Sequence, residues 1–140
     1  MMSYLINNKD QMRKFAEEIA SKAKVGDVFG LNGTLGAGKT FFASAFINSL
    51  NQNKTEVTSP TFNIVFEYNS IKGKIFHFDL YRIKDSDELM NIGITEYILD
   101  GISLIEWPDI GKDFYNKNYK EIQFDIIDEN KRLINIKCVE

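Results

Sequence analysis

The stretch GTLGAGKT at positions 33–40 places Gly33, Gly36 and Gly38 just ahead of Lys39 and Thr40. Gly33, Gly38, Lys39 and Thr40 satisfy G-x-x-x-x-G-K-[ST]. Glycines let such a loop wrap with its backbone N–H groups pointing inward, and a following helix adds its own unpaired N–H groups. In that arrangement Lys39 reaches the terminal phosphates of a nucleotide and Thr40 offers its hydroxyl to Mg²⁺. The flanks suit this reading. DVFGLN at 27–32 is a short apolar strand, and a helix is expected from about Lys39 to Leu50, with Phe42, Ala45, Phe46 and Leu50 near one side.

The periodicities around the loop supply the remaining elements. Met12, Phe15, Ala16, Ile19, Ala20 and Ala23 share one helical face, with Asn8 and Gln11 as a capping box and Gly26 as the stop. Positions 62–68 and 74–80 are strand-like, and NSIKG between them makes a hairpin. Asp85 and Glu88 cap a short helix that ends at Gly93. Positions 102–105 form a further apolar run. Ile122, Phe124 and Ile126 alternate with polar neighbours, as do Ile134, Ile136 and Cys138 after the turn DEN, which makes a closing antiparallel hairpin. The expectation is an α/β P-loop NTPase fold, a single domain over 1–140. Its central sheet is mostly parallel, with antiparallel hairpin additions and helices on both faces.

Composition narrows the function. A chain of 140 residues suits one domain, and 44% apolar residues can fill a core. A net charge of −3 provides no general attraction for nucleic acid. One cysteine, Cys138, excludes an intramolecular disulfide. The N-terminal stretch has no apolar core of signal-peptide length, and no run is long enough to span a membrane. A cytoplasmic protein with no membrane contact is expected.

A P-loop site needs a carboxylate at a nearby strand end to hold Mg²⁺ or its water. ISLIEWP places Glu106 at the end of one apolar run, and KIFHFDLYR places Asp79 at the end of another. Alternation puts Ile75, His77 and Asp79 on one face and Phe76, Phe78 and Leu80 on the other. An acid closing a buried strand is costly unless a metal or donor pairs with it. His77, the only histidine, reads as structural. TSPTF at 58–62 is on spacing alone a proline-stiffened loop, although a threonine in such a loop can sense a γ-phosphate.

Absent motifs constrain the class. The Asn-Lys pairs read NKDQ, NKTE, NKNY and NKRL, none with Asp in fourth place, so guanine specificity has no support. Arg13, Arg82 and Arg132 are the only arginines, too few for the phosphate clamps of a small-molecule kinase, and no insertion is left for a lid. Hydrolysis coupled to a partner is the better reading; a small-molecule kinase and a non-catalytic nucleotide sensor are the alternatives.

LGAGKT, SPTF, HFDLYR and EW occur in this order within about 75 residues. Together they resemble the TsaE (formerly YjeE) family of small bacterial ATPases, over most of the chain. The resemblance implies ATP and Mg²⁺ as cofactors, slow hydrolysis alone, and a role in making threonylcarbamoyladenosine in tRNA. It implies action with a TsaD–TsaB complex, which performs the transfer itself. Contact with tRNA is then only indirect, through that complex, and the free chain is expected to be a monomer. By the same resemblance Gly33, Leu35, Gly36, Ala37, Gly38, Lys39 and Thr40 hold the nucleotide. Thr40 and Glu106 are the Mg²⁺ ligands, and Asp79 and Glu106 the catalytic carboxylates, Asp79 either orienting water or supporting the metal's ligands from behind. Thr61 belongs to a switch-like segment, Trp107 adjoins the metal site, and Arg132 is a basic position near the nucleotide. Two departures stand out: Thr34 replaces a usual Asp, and Phe62 replaces the commoner Tyr.

Overall fold

A computed structural model describes residues 2–115 and 118–138. The Asn116–Lys117 pair of NKNY lies outside them. Seven strands form one sheet in the order β1-β7-β6-β2-β5-β4-β3. They are β1 (Met2–Ile6), β2 (Val28–Gly33), β3 (Val65–Ser70), β4 (Gly73–Asp79), β5 (Gly101–Glu106), β6 (Tyr119–Ile126) and β7 (Arg132–Cys138). The four central strands, β6, β2, β5 and β4, run parallel to one another, and antiparallel strands extend the sheet at both edges.

Each face carries its own apolar layer. Phe29, Leu31, Ile75, Ile102, Leu104, Ile122 and Phe124 point to one side, where α1 (Lys9–Lys22) and α2 (Lys39–Ser49) cover them. Val28, Phe76, Phe78, Ile105 and Tyr119 point to the other, under α3 (Ser86–Ile92), α4 (Ile94–Asp100) and a 3-10 turn at Pro108–Phe114. The alternation expected for 75–80 is therefore real. α2 buries Ala43 and Ile47 as well as Phe42 and Phe46, because it lies between α1 and the sheet. Gly30 makes room for the Tyr119 ring: a Cβ there would clash with the Tyr119 hydroxyl oxygen.

Several boundaries differ from expectation, each for a local reason. The strand expected at 62–68 begins at Val65. Residues 61–63 turn instead, and Ile64 takes φ 69°, its N–H donating to Pro60 O at 2.7 Å. At α1, Asn8 Oδ1 accepts from Gln11 N as expected, but Gln11 Oε1 accepts from Asn7 N rather than Asn8 N. The Asp85–Glu88 capping box forms, and Gly93, at φ 79°, ends α3 while also starting α4. Helix α4, the 3-10 turn and β1 carried no clear periodicity. The β1 strand is a half-exposed edge zipped onto β7, with Tyr4 opposite Ile134.

Candidate functional site

The C-terminal ends of β2, β4 and β5 meet at one rim of the sheet, where open α/β sheets bind ligands. The parallel register sets Asp79 directly opposite Glu106, and Glu106 opposite Leu31. Two carboxylates, 4% and 3% exposed, therefore sit side by side where β2 hands over to the glycine loop. A cavity of about 570 Å³ opens above them.

The loop joins β2 to α2. Gly36 (φ 81°) and Gly38 (φ 107°) are both left-handed, which side-chain-bearing residues avoid and which turns successive N–H groups toward a common centre. Gly38 is also the N-cap of α2 and brings no side-chain acceptor, so the first N–H groups of the helix have none from their cap. Gly33 serves a different need: a Cβ there would come within 2.8 Å of Phe124 O. It stands behind the cavity wall, whereas Leu35, Gly36, Ala37, Gly38, Lys39 and Thr40 line the cavity. Thr34 is exposed and does not line it.

Lys39 and Thr40 open α2. The Lys39 ammonium donates to Gly33 O at 2.6 Å and lies over the Trp107 ring. Burial pushes its pKa below the ordinary range, partly offset by the charges of Glu106 and Asp79. The Thr40 hydroxyl lies 3.0 Å from Glu106 Oε2 and 3.3 Å from Oε1. The Asp79 carboxylate accepts from Ser59 Oγ at 2.6 Å, Thr61 Oγ1 at 3.1 Å and Tyr81 N at 2.9 Å. Three donors hold Asp79 in one orientation and tie the TSPTF loop to the end of β4.

The remaining expected residues fall nearby in unexpected ways. Trp107, at φ 57°, turns its ring back over Lys39 and against Tyr81, with ring centroids 5.0 Å apart. Arg132 lines the cavity but gives its guanidinium to main-chain carbonyls: Nε to Ala37 O at 3.0 Å, and a terminal nitrogen to Gly36 O at 3.2 Å. It braces the glycine loop against the β6–β7 turn, where it also donates to Asp128 O and Lys131 O. Phe62 is 82% exposed, with the Arg82 guanidinium 4.4 Å above its ring.

Sequence reasoning missed several contributors. Ser59 shares Asp79 with Thr61. Tyr81 stacks on Trp107. Asn8, Lys9 and Met12 at the start of α1, and Glu129 and Asn130 in the β6–β7 turn, complete the cavity far from the loop in sequence. His77, read as structural, contacts Glu106. Ser59, Tyr81 and His77 had a signal, since all three lie inside quoted motifs.

The donor set indicates what the rim can hold. Among the described residues no three His, Cys, Asp or Glu side chains form a metal cage. The Thr40 hydroxyl and the Glu106 carboxylate offer hard oxygens from two side chains. That suits an ion that keeps several waters and takes its other ligands from phosphate, as Mg²⁺ does. The left-handed glycines, the α2 N-terminus and a buried ammonium suit the phosphate itself. No helix among the described residues is long and apolar enough to cross a membrane.

Comparison with known proteins agrees with this geometry. The family profile "Threonylcarbamoyl adenosine biosynthesis protein TsaE" matches residues 6–134. A relative in Rickettsia felis, named as tRNA threonylcarbamoyladenosine biosynthesis protein TsaE, is 38% identical over 132 residues, 94% of this chain and 77% of its own. One of the same name in Aquifex aeolicus is 40% identical, covering 94% of this chain and 92% of its own. The crystal structure of Bacillus subtilis YdiB superposes with a TM-score of 0.80 at 28% identity, covering 99% of this chain and 86% of that one. Family and fold both imply nucleotide binding.

Proposed function

The chain belongs to the TsaE family, and from that premise we propose that it is an Mg²⁺-dependent ATPase serving the threonylcarbamoyladenosine modification of tRNA. One domain spanning 1–140 carries the activity. It works with TsaD and TsaB counterparts, meets tRNA only through them, is monomeric when free and acts in the cytoplasm.

The observation that carries this reading is the Thr40–Glu106 pair, with its 3.0 Å hydroxyl–carboxylate contact, set beside Lys39 and the left-handed glycine loop. Each residue then has a task. The amides of Gly36, Gly38 and the start of α2 hold the phosphates. Lys39 exchanges the Gly33 carbonyl for the terminal phosphate oxygens. Thr40 and Glu106 would hold Mg²⁺, which would supply charge neutralisation for the phosphates. Asp79, fixed by Ser59, Thr61 and Tyr81, orients the attacking water. Because Ser59 and Thr61 share Asp79, the TSPTF loop follows the state of the site, which is how a partner senses it. Arg132 maintains the loop's curvature from behind.

Phosphate release from ATP, measured for the chain alone and with purified TsaD and TsaB counterparts, tests the proposal. Slow release alone, a complex on mixing, and more modified tRNA per enzyme with the chain present are expected. No complex and no gain in multiple-turnover product would overturn the assignment.

A further inference from the structure

His77 is fully buried, on the β4 face that carries Asp79 two residues on. Its Nε2 lies 2.7 Å from Glu106 Oε2, and its Nδ1 has no hydrogen-bond partner among the described residues. A lone pair on Nε2 would face a carboxylate oxygen, so Nε2 carries the proton and donates. A polar ring with one unpaired nitrogen is a poor choice for filling a core, where an apolar side chain of that size costs less. The contact with Glu106 is what the imidazole supplies that an apolar side chain cannot.

Glu106 ends β5 on a flexible side chain whose other partner is the Thr40 hydroxyl. Thr40 lines the cavity, whereas His77 lies behind the carboxylate, outside the cavity wall. We propose that His77 is a positioning residue: its Nε2–H pins Oε2 of Glu106, holding the carboxylate beside Thr40 and leaving Oε1 for a cation. This rests on the Mg²⁺–nucleotide reading above. Donors behind a metal-binding carboxylate orient it, and losing one typically weakens metal affinity about 10–100-fold.

Two amide substitutions separate positioning from packing. The amide nitrogen of His77→Gln reaches the place of imidazole Nε2, while that of His77→Asn stops short of Glu106. Mg²⁺ is titrated into each protein with a saturating non-hydrolysable ATP analogue, and Trp107 emission is read. Analogue affinity in EDTA is measured in parallel. For His77→Asn the Mg²⁺ dissociation constant is expected to rise about 10–100-fold, with His77→Gln within about threefold of wild type. Affinity in EDTA is expected to stay unchanged in both. His77→Phe, which fills the apolar surroundings, carries the same expectation as His77→Asn and keeps the test decisive if the asparagine variant does not fold. Wild-type Mg²⁺ affinity in His77→Asn or His77→Phe, equal losses in Gln and Asn, or equal losses with and without Mg²⁺ would each overturn the proposal. A wild-type protein indifferent to Mg²⁺ would overturn the metal reading and this one together, and the wild-type titration alone reports that failure.

Discussion

The Lys39 ammonium sits 3.5 Å from the centroid of the Trp107 ring while donating to Gly33 O at 2.6 Å. The loop lysine and the residue after the β5 carboxylate thus close on one another across the rim. The contact explains why Trp107 tolerates a left-handed backbone: its ring covers an otherwise exposed cation, a cation–π contact that strengthens as water is excluded.

Burying Lys39 has a cost that pH reveals. Its folded pKa lies below the ordinary 10.5, so between the two values the unfolded chain binds more protons and stability rises with pH. Below the folded value the cost is fully present. Lys39→Met is therefore expected to raise the thermal midpoint of the nucleotide-free protein near neutral pH, by less and less as pH approaches 10.5, while abolishing measurable ATP affinity. Paired melting curves across alkaline pH and a calorimetric titration check both halves; a midpoint that falls at neutral pH contradicts the desolvation argument.

Arg132 reaches the glycine loop through carbonyls alone among the described contacts. Arg132→Met is expected to weaken nucleotide binding roughly tenfold, about the worth of one charge-assisted hydrogen bond, with the Mg²⁺ dependence intact. Arg132→Lys should recover little, because a single ammonium cannot reproduce the guanidinium fork that spans Gly36 and Ala37. Affinities measured in EDTA and in Mg²⁺ decide this: unchanged affinity in both conditions, or full recovery by Arg132→Lys, would overturn the bracing role.

Lys72, at the tip of the β3–β4 hairpin, donates to Ala20 O, Ser21 O and Ala23 O at 2.9, 2.8 and 2.6 Å. It caps the C-terminal end of α1 from a distant part of the chain, where a cation complements the helix dipole. Lys72→Met is expected to cost about 1–2 kcal/mol in urea unfolding, with nucleotide affinity unchanged.

Burial pushes the Tyr115 and Tyr119 phenols well above the ordinary tyrosine range, each also raised by the other residues' negative charge, Asp109 among them. Both stay protonated in the fold after the unfolded chain would have ionised, so stability should hold up to about pH 10 and fall beyond it. The two rings differ in their tests. Tyr115 OH donates to Pro108 O at 2.7 Å, so Tyr115→Phe costs about 1 kcal/mol at neutral pH. Tyr119 OH has no hydrogen-bond partner among the described residues, so Tyr119→Phe is neutral or stabilising and flattens the alkaline decline. Melting midpoints from neutral to strongly alkaline pH check both.

Much of this architecture was legible residue by residue. The loop glycines, the α1 face, the β4 alternation and the Asp85–Gly93 helix all rest on interactions within a few positions, which sequence spacing records. Glu106 and Asp79 were recognisable because an acid that ends an apolar strand needs a partner. The start of β3 was misjudged because Pro60 and Ile64 close a turn in a run of good strand formers. Helix α4 was missed because its cap is the glycine that also ends α3.

Local pattern alone was enough for a glycine loop between a buried strand and a helix, and for two acids that end apolar strands, because these depend on backbone freedom and hydrophobic period along a short segment. Which acid faces Thr40, that His77 stands behind it, that Arg132 grips the loop through its main-chain carbonyls, and that Lys72 caps a helix some fifty positions away all follow from strand order and register. Those relationships join residues far apart in the chain, and only the parallel pairing of β4, β5 and β2 under a shared core brings their side chains within hydrogen-bond reach.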